Sequence, residues 1–311
     1  MKKAPVLLIG FNRPDNMAKV FAQIQKAKPD ILYIAVDGPR KSKEEEEKKC
    51  EECRFLAKKV DWPCEVHTLF RDKNLGCALG VSEAISWAFE NEDRLIILED
   101  DCVPVVSFFS FCDEMLEKYK DDTRVWQVCG RSYHANSKFF NESDYIFSHY
   151  AHIWGWATWK RCWSHYDLKM SDFPEFMSIG GALNVHQSVF LGNRTNRIYR
   201  RLYDDISNIS SHTWDYQWSY VKLKNGALGI VPCKNLIHNI GSASGAHSSG
   251  PYIEDIATEE MPPILRHPKF VIPYSAFDNY HYIHHIRPPF IKRLKNLVIY
   301  FIVIIIKRFK I

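Results

Sequence analysis

Arg94-Leu95-Ile96-Ile97-Leu98-Glu99-Asp100-Asp101 decides how this chain reads: a short apolar run stops abruptly on three consecutive carboxylates, and Cys102-Val103-Pro104 follows. The run is too short for a typical helix, and a continuous apolar run is how a buried parallel strand reads. In open α/β sheets ligands sit beyond the carboxyl ends of the strands, so three acids there mark a site. Adjacent carboxylates repel and raise one another's pKa unless a cation neutralises them. A divalent metal taking oxygen ligands explains the arrangement best, and such a metal can hold a diphosphate. Taken alone, the triplet reads equally well as a solvated turn with Pro104 stopping the strand. Its place at a strand end favours the site.

Outward from this strand, strand-like and helix-like segments alternate through the first 130 residues, the signature of a parallel sheet with crossover helices. Strands are predicted at 5–10, 31–36, 64–70, 94–98 and 125–129, and helices at 15–26, 42–60, 77–90 and 107–120. Ser42-x-x-Glu45 reads as a capping box opening the second, highly charged helix. Beyond Gly130 the sequence turns aromatic, His-rich and less periodic, which sets a boundary there while leaving both halves free to share one core. Between Ile153 and Trp163 stand four tryptophans, Trp154, Trp156, Trp159 and Trp163. Most of that segment reads as core; Gly155 between two tryptophans also allows close approach of a sugar ring.

Composition bounds the classes. A chain of 311 residues with 46% hydrophobic content and nine tryptophans is an ordinary packed globule. The opening Met1-Lys2-Lys3-Ala4-Pro5 enters a strand with no long apolar segment or small-residue cleavage site, so no signal peptide is read and a cytoplasmic protein is expected. Nine cysteines, an odd count spread along the chain, argue for reduced thiols. Cys50-x-x-Cys53 has no second pair at zinc spacing and reads as two ordinary thiols. The last twenty residues hold six cations and no acid, and removing them leaves 35 basic against 37 acidic residues. Between those cations runs an apolar decapeptide from Leu297 to Ile306. As a helix it would span about 15 Å, half of the ~30 Å hydrocarbon core. It suits an in-plane anchor on an anionic leaflet, the other reading being a terminal element packed on the body. The acidic body, with no basic and aromatic stripe, argues against nucleic acid.

Two nucleotide-binding classes are excluded. The turn after the first strand is Gly10-Phe11-Asn12-Arg13-Pro14 instead of the dinucleotide fingerprint G-x-G-x-x-G, and no P-loop G-x-x-x-x-G-K-[ST] occurs. What the strand ends offer is Arg13 as a cation for phosphate, Asp37 as an acid for ribose or base, and Glu99 to Asp101 for a metal. That set suits a nucleotide-sugar.

These residues resemble those of the GT-A nucleotide-diphospho-sugar transferases, above all the N-acetylglucosaminyltransferase I family and its bacterial relatives in surface-polysaccharide synthesis. The likeness runs from about Pro5 to His247, roughly four fifths of the chain. Residues 5–13 resemble the opening strand and donor-binding Arg13, and Asp37 resembles the uridine-contacting acid. Leu98-Glu99-Asp100-Asp101 with the helix at Ser107-Phe108-Phe109 resembles the Glu-Asp-Asp signature. That likeness implies Asp101 as the metal ligand, with Glu99 and Asp100 facing donor sugar and ribose. Trp154-Gly155-Trp156 resembles the Gly-Trp before the acceptor helix, and Thr213-Trp214-Asp215-Tyr216 resembles the Trp-Asp catalytic loop, which implies Asp215 as general base and Trp156 and Trp214 beside the donor. Tyr216 stands where the animal enzymes have a second acid, and no Golgi anchor precedes the first strand.

The expected fold is therefore α/β: a Rossmann-like, mostly parallel sheet flanked by helices, with a mixed acceptor-side region and a basic-apolar C-terminal helix. Its parts are a donor half at 1–130, an acceptor and catalytic half at 131–285, and a membrane-associating tail at 286–311. The resemblance implies an inverting glycosyltransferase using Mn²⁺ or Mg²⁺. It would move a sugar from a UDP-type donor to a hydroxyl of a glycan or lipid-linked acceptor at the inner membrane face. Displacement at the anomeric carbon passes through an oxocarbenium-like state while charge builds on the leaving diphosphate, and a carboxylate on the opposite face takes the acceptor's proton. Asp215 has a second reading, as a cap of the helix at 216–224. His247, in a Gly-rich run, reads as closing over the diphosphate or as a surface residue. Asn74 and Gly76 read as donor contacts or as an ordinary cap. A sugar-1-phosphate nucleotidyltransferase and a non-catalytic membrane-surface protein are the competing functions.

Overall fold

A computed structural model describes residues 2–41, 43–186, 189–205, 213–241, 256–263 and 265–286. His247 and residues 287–311, with the anchor reading of the tail, lie outside them. Chain contacts separate two compact units, Met1–Pro273 and Tyr274–Ile311.

Among its described residues the first unit has ten strands: β1 Val6–Gly10, β2 Ile31–Val36, β3 Glu65–Phe70, β4 Arg94–Glu99, β5 Cys102–Pro104, β6 Val125–Cys129, β7 Tyr145–Ser148, β8 Trp156–Trp159, β9 Leu228–Pro232 and β10 Ile237–Asn239. Its helices are α1 Pro14–Ala27, α2 Glu44–Phe55, α3 Gly76–Ala88, α4 Ser107–Lys118, α5 Lys160–Trp163, α6 Phe173–Ser178, α7 Ala182–Val185, α8 Val189–Asp204 and α9 Asp215–Lys224. The second unit is described over α10 Ser275–His281 and the turn Tyr282–Ile286, where Phe277 and His281 stack at 5.9 Å.

Eight strands form one sheet in the order β3-β2-β1-β4-β8-β6-β9-β7, and β5 pairs with β10 in a small ribbon. Four of its seven pairings are parallel, β1 with β2 and β4, β2 with β3, and β6 with β9. The antiparallel pairings, β4 with β8, β6 with β8 and β7 with β9, all fall in the later half. The sheet is thus mostly parallel with a mixed far side, flanked by helices. Strands β1, β2 and β4 are buried almost throughout, as their apolar runs require, whereas β3 at the edge alternates between exposed and half-buried.

Local chemistry sets the elements. In α1, Pro14 occupies the first turn, Asp15 meets the positive end and Lys26 the negative end. Met17, Val20, Phe21 and Ile24 recur at helical spacing on the buried face, and Lys28 closes the helix in the left-handed conformation. The capping box expected on Ser42 is corrected in part. Helix α2 starts at Glu44 with Lys43 at the cap position and no side-chain cap bond, and Ser42 lies outside the described residues. Cys50 and Cys53 are fully buried on α2, and all nine cysteines are free.

Among the parallel strands of the first half the order reverses between β1 and β4. From β1 the chain steps outward to β2 and β3, then returns to place β4 on the other side of β1. Right-handed crossovers place helices on opposite faces after such a reversal, which opens a crevice beyond the carboxyl ends of β1 and β4. Register lines those ends up: Glu99 faces Ile9, and Gly10 faces Val36.

Candidate functional site

At that crevice Arg13 occupies the cap position of α1, and its side chain turns onto the acids that follow β4. Its Nε donates to Asp100 Oδ2 at 3.2 Å, Nη2 pairs with Asp100 Oδ1, and Nη1 lies 3.0 Å from Asp101 Oδ2. Burial works against the guanidinium's charge, but the two carboxylates more than compensate, so its pKa is raised. Asp100 is 3% exposed, and burial pushes its carboxyl up to about 6 against the pull of Arg13. At Glu99 burial, then the charges of Asp101, Asp100 and Asp215, outweigh the pull of Arg13 and push the carboxyl up to about 8. The expected phosphate-binding Arg13 is thus committed first to holding two carboxylates.

One strand over, Asp37 follows β2 and is 8% exposed. It accepts from the main-chain amides of Gly38 at 3.0 Å, Leu75 at 3.0 Å and Gly76 at 3.2 Å, and from Asn74 Nδ2 at 3.0 Å. Asn74 Nδ2 also donates to the Gly38 carbonyl at 3.1 Å. Burial holds the Asp37 carboxyl above its ordinary range while these amides pull the other way. Three sequence candidates, Asp37, Asn74 and Gly76, are therefore brought together, but the Asp37 carboxylate is spent as a remote cap on the first amides of α3. Gly76 opens that helix at φ +77°, a conformation open to glycine and poor for other residues.

The far wall comes from the other half of the chain. Asp215 is the first residue of α9, and the cap position belongs to Trp214, which makes no side-chain cap bond. The reading of Asp215 as the cap is corrected accordingly: its Oδ1 accepts from the Thr213 hydroxyl instead. Its charge acts on Glu99 and on Cys77, so it lies within electrostatic reach of both. Trp156 and Trp214 are each 1% exposed and stack at 5.5 Å, with Trp163 and Trp218 completing a cluster. Their rings are core that braces the start of α9, so Trp156 and Trp214, expected beside the donor, offer no open ring face to it. Tyr166 stacks on Trp163 at 4.2 Å and donates to the Trp214 carbonyl at 3.0 Å.

Three contributors escape the sequence. Cys77 sits at the second position of α3, where crowding and the charges of Glu99, Asp215 and Asp101 push its thiol up. Tyr166 carries no motif. Gly241 follows β10, and the antiparallel ribbon with β5 lays it on Asp101, the Ile240 amide donating to the Asp101 carbonyl at 2.9 Å. A Cβ on Gly241 would fall 2.2 Å from Asp101 Oδ2, so only glycine leaves that oxygen room. The Gly-rich composition after β10 was the one available signal.

Among the described residues no group of three or more His, Cys, Asp or Glu side chains gathers as a ready metal cage. A cation that enters with a diphosphate needs less: one or two carboxylates, with phosphate oxygens and water completing the shell. Asp101 fits that demand, its side chain 18% exposed and Gly241 beside it, and the repulsion around Glu99, which Arg13 offsets only in part, favours an added positive charge.

No known protein-family profile and no curated protein matches this chain. Among solved structures, it is similar to a UDP-glucose pyrophosphorylase complexed with UDP-glucose, at 10% identity over 52% of this chain and 78% of that one, with a TM-score of 0.32. It is also similar to the inositol-1-phosphate CTP transferase from T. maritima, at 10% identity over 68% of this chain and 98% of that one, again with a TM-score of 0.32. The fold class rests on the strand order and register themselves.

Proposed function

We propose that the protein is an inverting, cation-assisted glycosyltransferase that takes a sugar from a nucleotide-diphospho-sugar, of UDP type, and attaches it to a hydroxyl of a glycan or lipid-linked acceptor. The observation that supports this reading is that Asp215, from the later half, lies within electrostatic reach of Glu99, which adjoins the Arg13, Asp100 and Asp101 cluster at the strand-order reversal. Transfer needs carboxylates in two roles, one set toward the leaving diphosphate and one toward the incoming hydroxyl. Asp101 would hold Mn²⁺ or Mg²⁺, which when bound supplies neutralisation of charge on the departing diphosphate. Arg13 keeps Asp100 and Asp101 in fixed orientation. Asp215 takes the acceptor's proton, its carboxylate oriented by the Thr213 hydroxyl and its helix braced by the tryptophan cluster. Asp37, Asn74 and Gly76 shape the neighbouring wall for the nucleotide, and His247 belongs to the segment that follows Gly241.

The test is a panel of UDP-, GDP- and dTDP-sugars with and without Mn²⁺, read by thermal shift and by slow donor hydrolysis. One nucleotide-sugar is expected to stabilise the protein in a cation-dependent way, and Asp101→Ala to abolish that dependence. No stabilisation and no cleavage by any donor would refute the donor site. Release of a nucleoside triphosphate on adding pyrophosphate would move the assignment to a sugar-1-phosphate nucleotidyltransferase.

A further inference from the structure

Helix α8 carries Arg194, Arg197, Arg200 and Arg201 with a single acid, Asp204, and none of these arginines is ion-paired or hydrogen-bonded among the described residues. Its helical period sorts the residues sharply. Gly192, Asn196 and Tyr199 are buried, whereas Val189, Phe190, Asn193, Arg197, Arg200, Arg201 and Asp204 fall within one exposed sector, three cations against one acid. Phe190 is 88% exposed and Val189 68%, and Ile179 beyond α6 is 67% exposed. Large apolar side chains this far out, beside an excess of cations, mark an interaction face. Between α8 and the α6–α7 segment lies a cavity of about 460 Å³ walled by Met177, Leu183, Asn193, Asn196, Arg197 and Arg200. The amide oxygen of Asn196 accepts from the Ala182 amide at 2.7 Å, and Arg197 and Arg200 line the same cavity.

We propose that this face of α8 docks on an anionic phospholipid surface, with Arg197 and Arg200 taking lipid phosphate at the cavity and Phe190, Val189 and Ile179 entering the interfacial zone. Charge complementarity chooses the occupant. A protein groove matching the apolar tips alone would leave the arginines uncompensated, and a second copy would set like charges against one another. Phosphate headgroups satisfy guanidinium, and the apolar boundary beneath them takes the aromatic tip. Docking also has a consequence for the crevice. On its inner face α8 packs Tyr199 against Tyr220 of α9 at 5.4 Å, Phe176 of α6 meets the same ring at 5.4 Å, and the Tyr220 hydroxyl donates to Asp172 Oδ1 at 2.8 Å. The Tyr220 ring thus ties α6 and α8 to the helix that begins with Asp215. The docking face stands independently of the donor-site reading.

The test uses the full chain with vesicles of phosphatidylcholine alone and of phosphatidylcholine mixed with phosphatidylglycerol, read by co-sedimentation. Wild type is expected to bind only the mixed vesicles. Arg197→Gln with Arg200→Gln, and separately Phe190→Ser, should each weaken that binding, the double change by roughly tenfold or more. Thermal unfolding should stay unchanged, since these side chains are exposed, and inorganic phosphate should not compete. Binding by both variants equal to wild type would overturn the proposal and transfer any affinity to the terminal cations. So would a concentration-dependent mass that Phe190→Ser abolishes without any vesicle binding, because the face would then join two copies. Cleavage of a donor in the absence of lipid would be untouched by either variant, which keeps this outcome separate from the donor site's.

Discussion

Arg13 and Asp215 divide the labour of the crevice, and their substitutions fail in different ways. Asp100 is 3% exposed and depends on Arg13 for its charge partner. Removing one member of a buried pair leaves an uncompensated charge, so Arg13→Ala should cost about 3–5 kcal/mol of stability, read by urea unfolding near neutral pH. Asp100→Asn in the same background should restore part of it. Asp215 is half-buried at a helix start and its carboxylate is shared with a local hydroxyl. Asp215→Asn should leave the fold and donor affinity in place while turnover falls by roughly 10²–10⁴, the span of a lost general base. A matching loss of donor binding would count against the role given to it. At this scale the sequence was partly legible. The acid triplet and Arg13 announced themselves at strand ends, but Asp37 had to be seen with its four donors before its capping duty was plain.

Two elements hold the site's outer walls. The β5–β10 ribbon delivers Gly241 to Asp101, where a Cβ would sit 2.2 Å from Oδ2. Gly241→Ala should displace that carboxylate, and since a misplacement near 1 Å can cost about 100-fold, kcat/KM should fall by that order with little change in melting. Helix α9 is anchored at its far end by Lys222, 4% exposed, whose Nζ donates to Gln127 Oε1 at 2.7 Å and the Ala151 carbonyl at 3.3 Å. Burial pushes its pKa down to about 8. Between that value and the unfolded lysine's ~10.4 the unfolded chain binds more protons, so this residue makes stability rise with pH through that window. Lys222→Met should remove that rise, by about 1–3 kcal/mol, seen as a shrinking advantage of the variant between about pH 7.5 and pH 9.5 in urea unfolding. The elements of the first 130 residues follow the predicted alternation closely, with strands Ile31–Val36 and Val125–Cys129 where the pattern put them. The ribbon did not show, because Cys102–Pro104 and Ile237–Asn239 are each three residues long and carry no period.

For the whole molecule, the compositional change at Gly130 does not interrupt the main sheet. Strand β8 inserts between β4 and β6, and β9 and β7 continue beyond β6, so strands from both sides of residue 130 share one sheet within Met1–Pro273. A fragment ending at residue 130 would leave the apolar edge of β4 open and β6 without a sheet partner. Such a fragment should aggregate or give unfolded-like amide dispersion in NMR, while the span through residue 273 should unfold in one cooperative transition. Among the described residues no helix is long and apolar enough to cross a membrane. Periodicity and punctuation, which are local, determined by themselves the βα alternation, the burial of β1, β2 and β4, and the clustering of acids after β4. What only tertiary structure decided is who meets whom: Arg13 claimed by two carboxylates, Asp37 spent on α3, Trp214 stacked on Trp156, and Asp215 brought within electrostatic reach of Glu99. Those pairings depend on strand order, register and packing between segments far apart in the chain, and no local pattern encodes them.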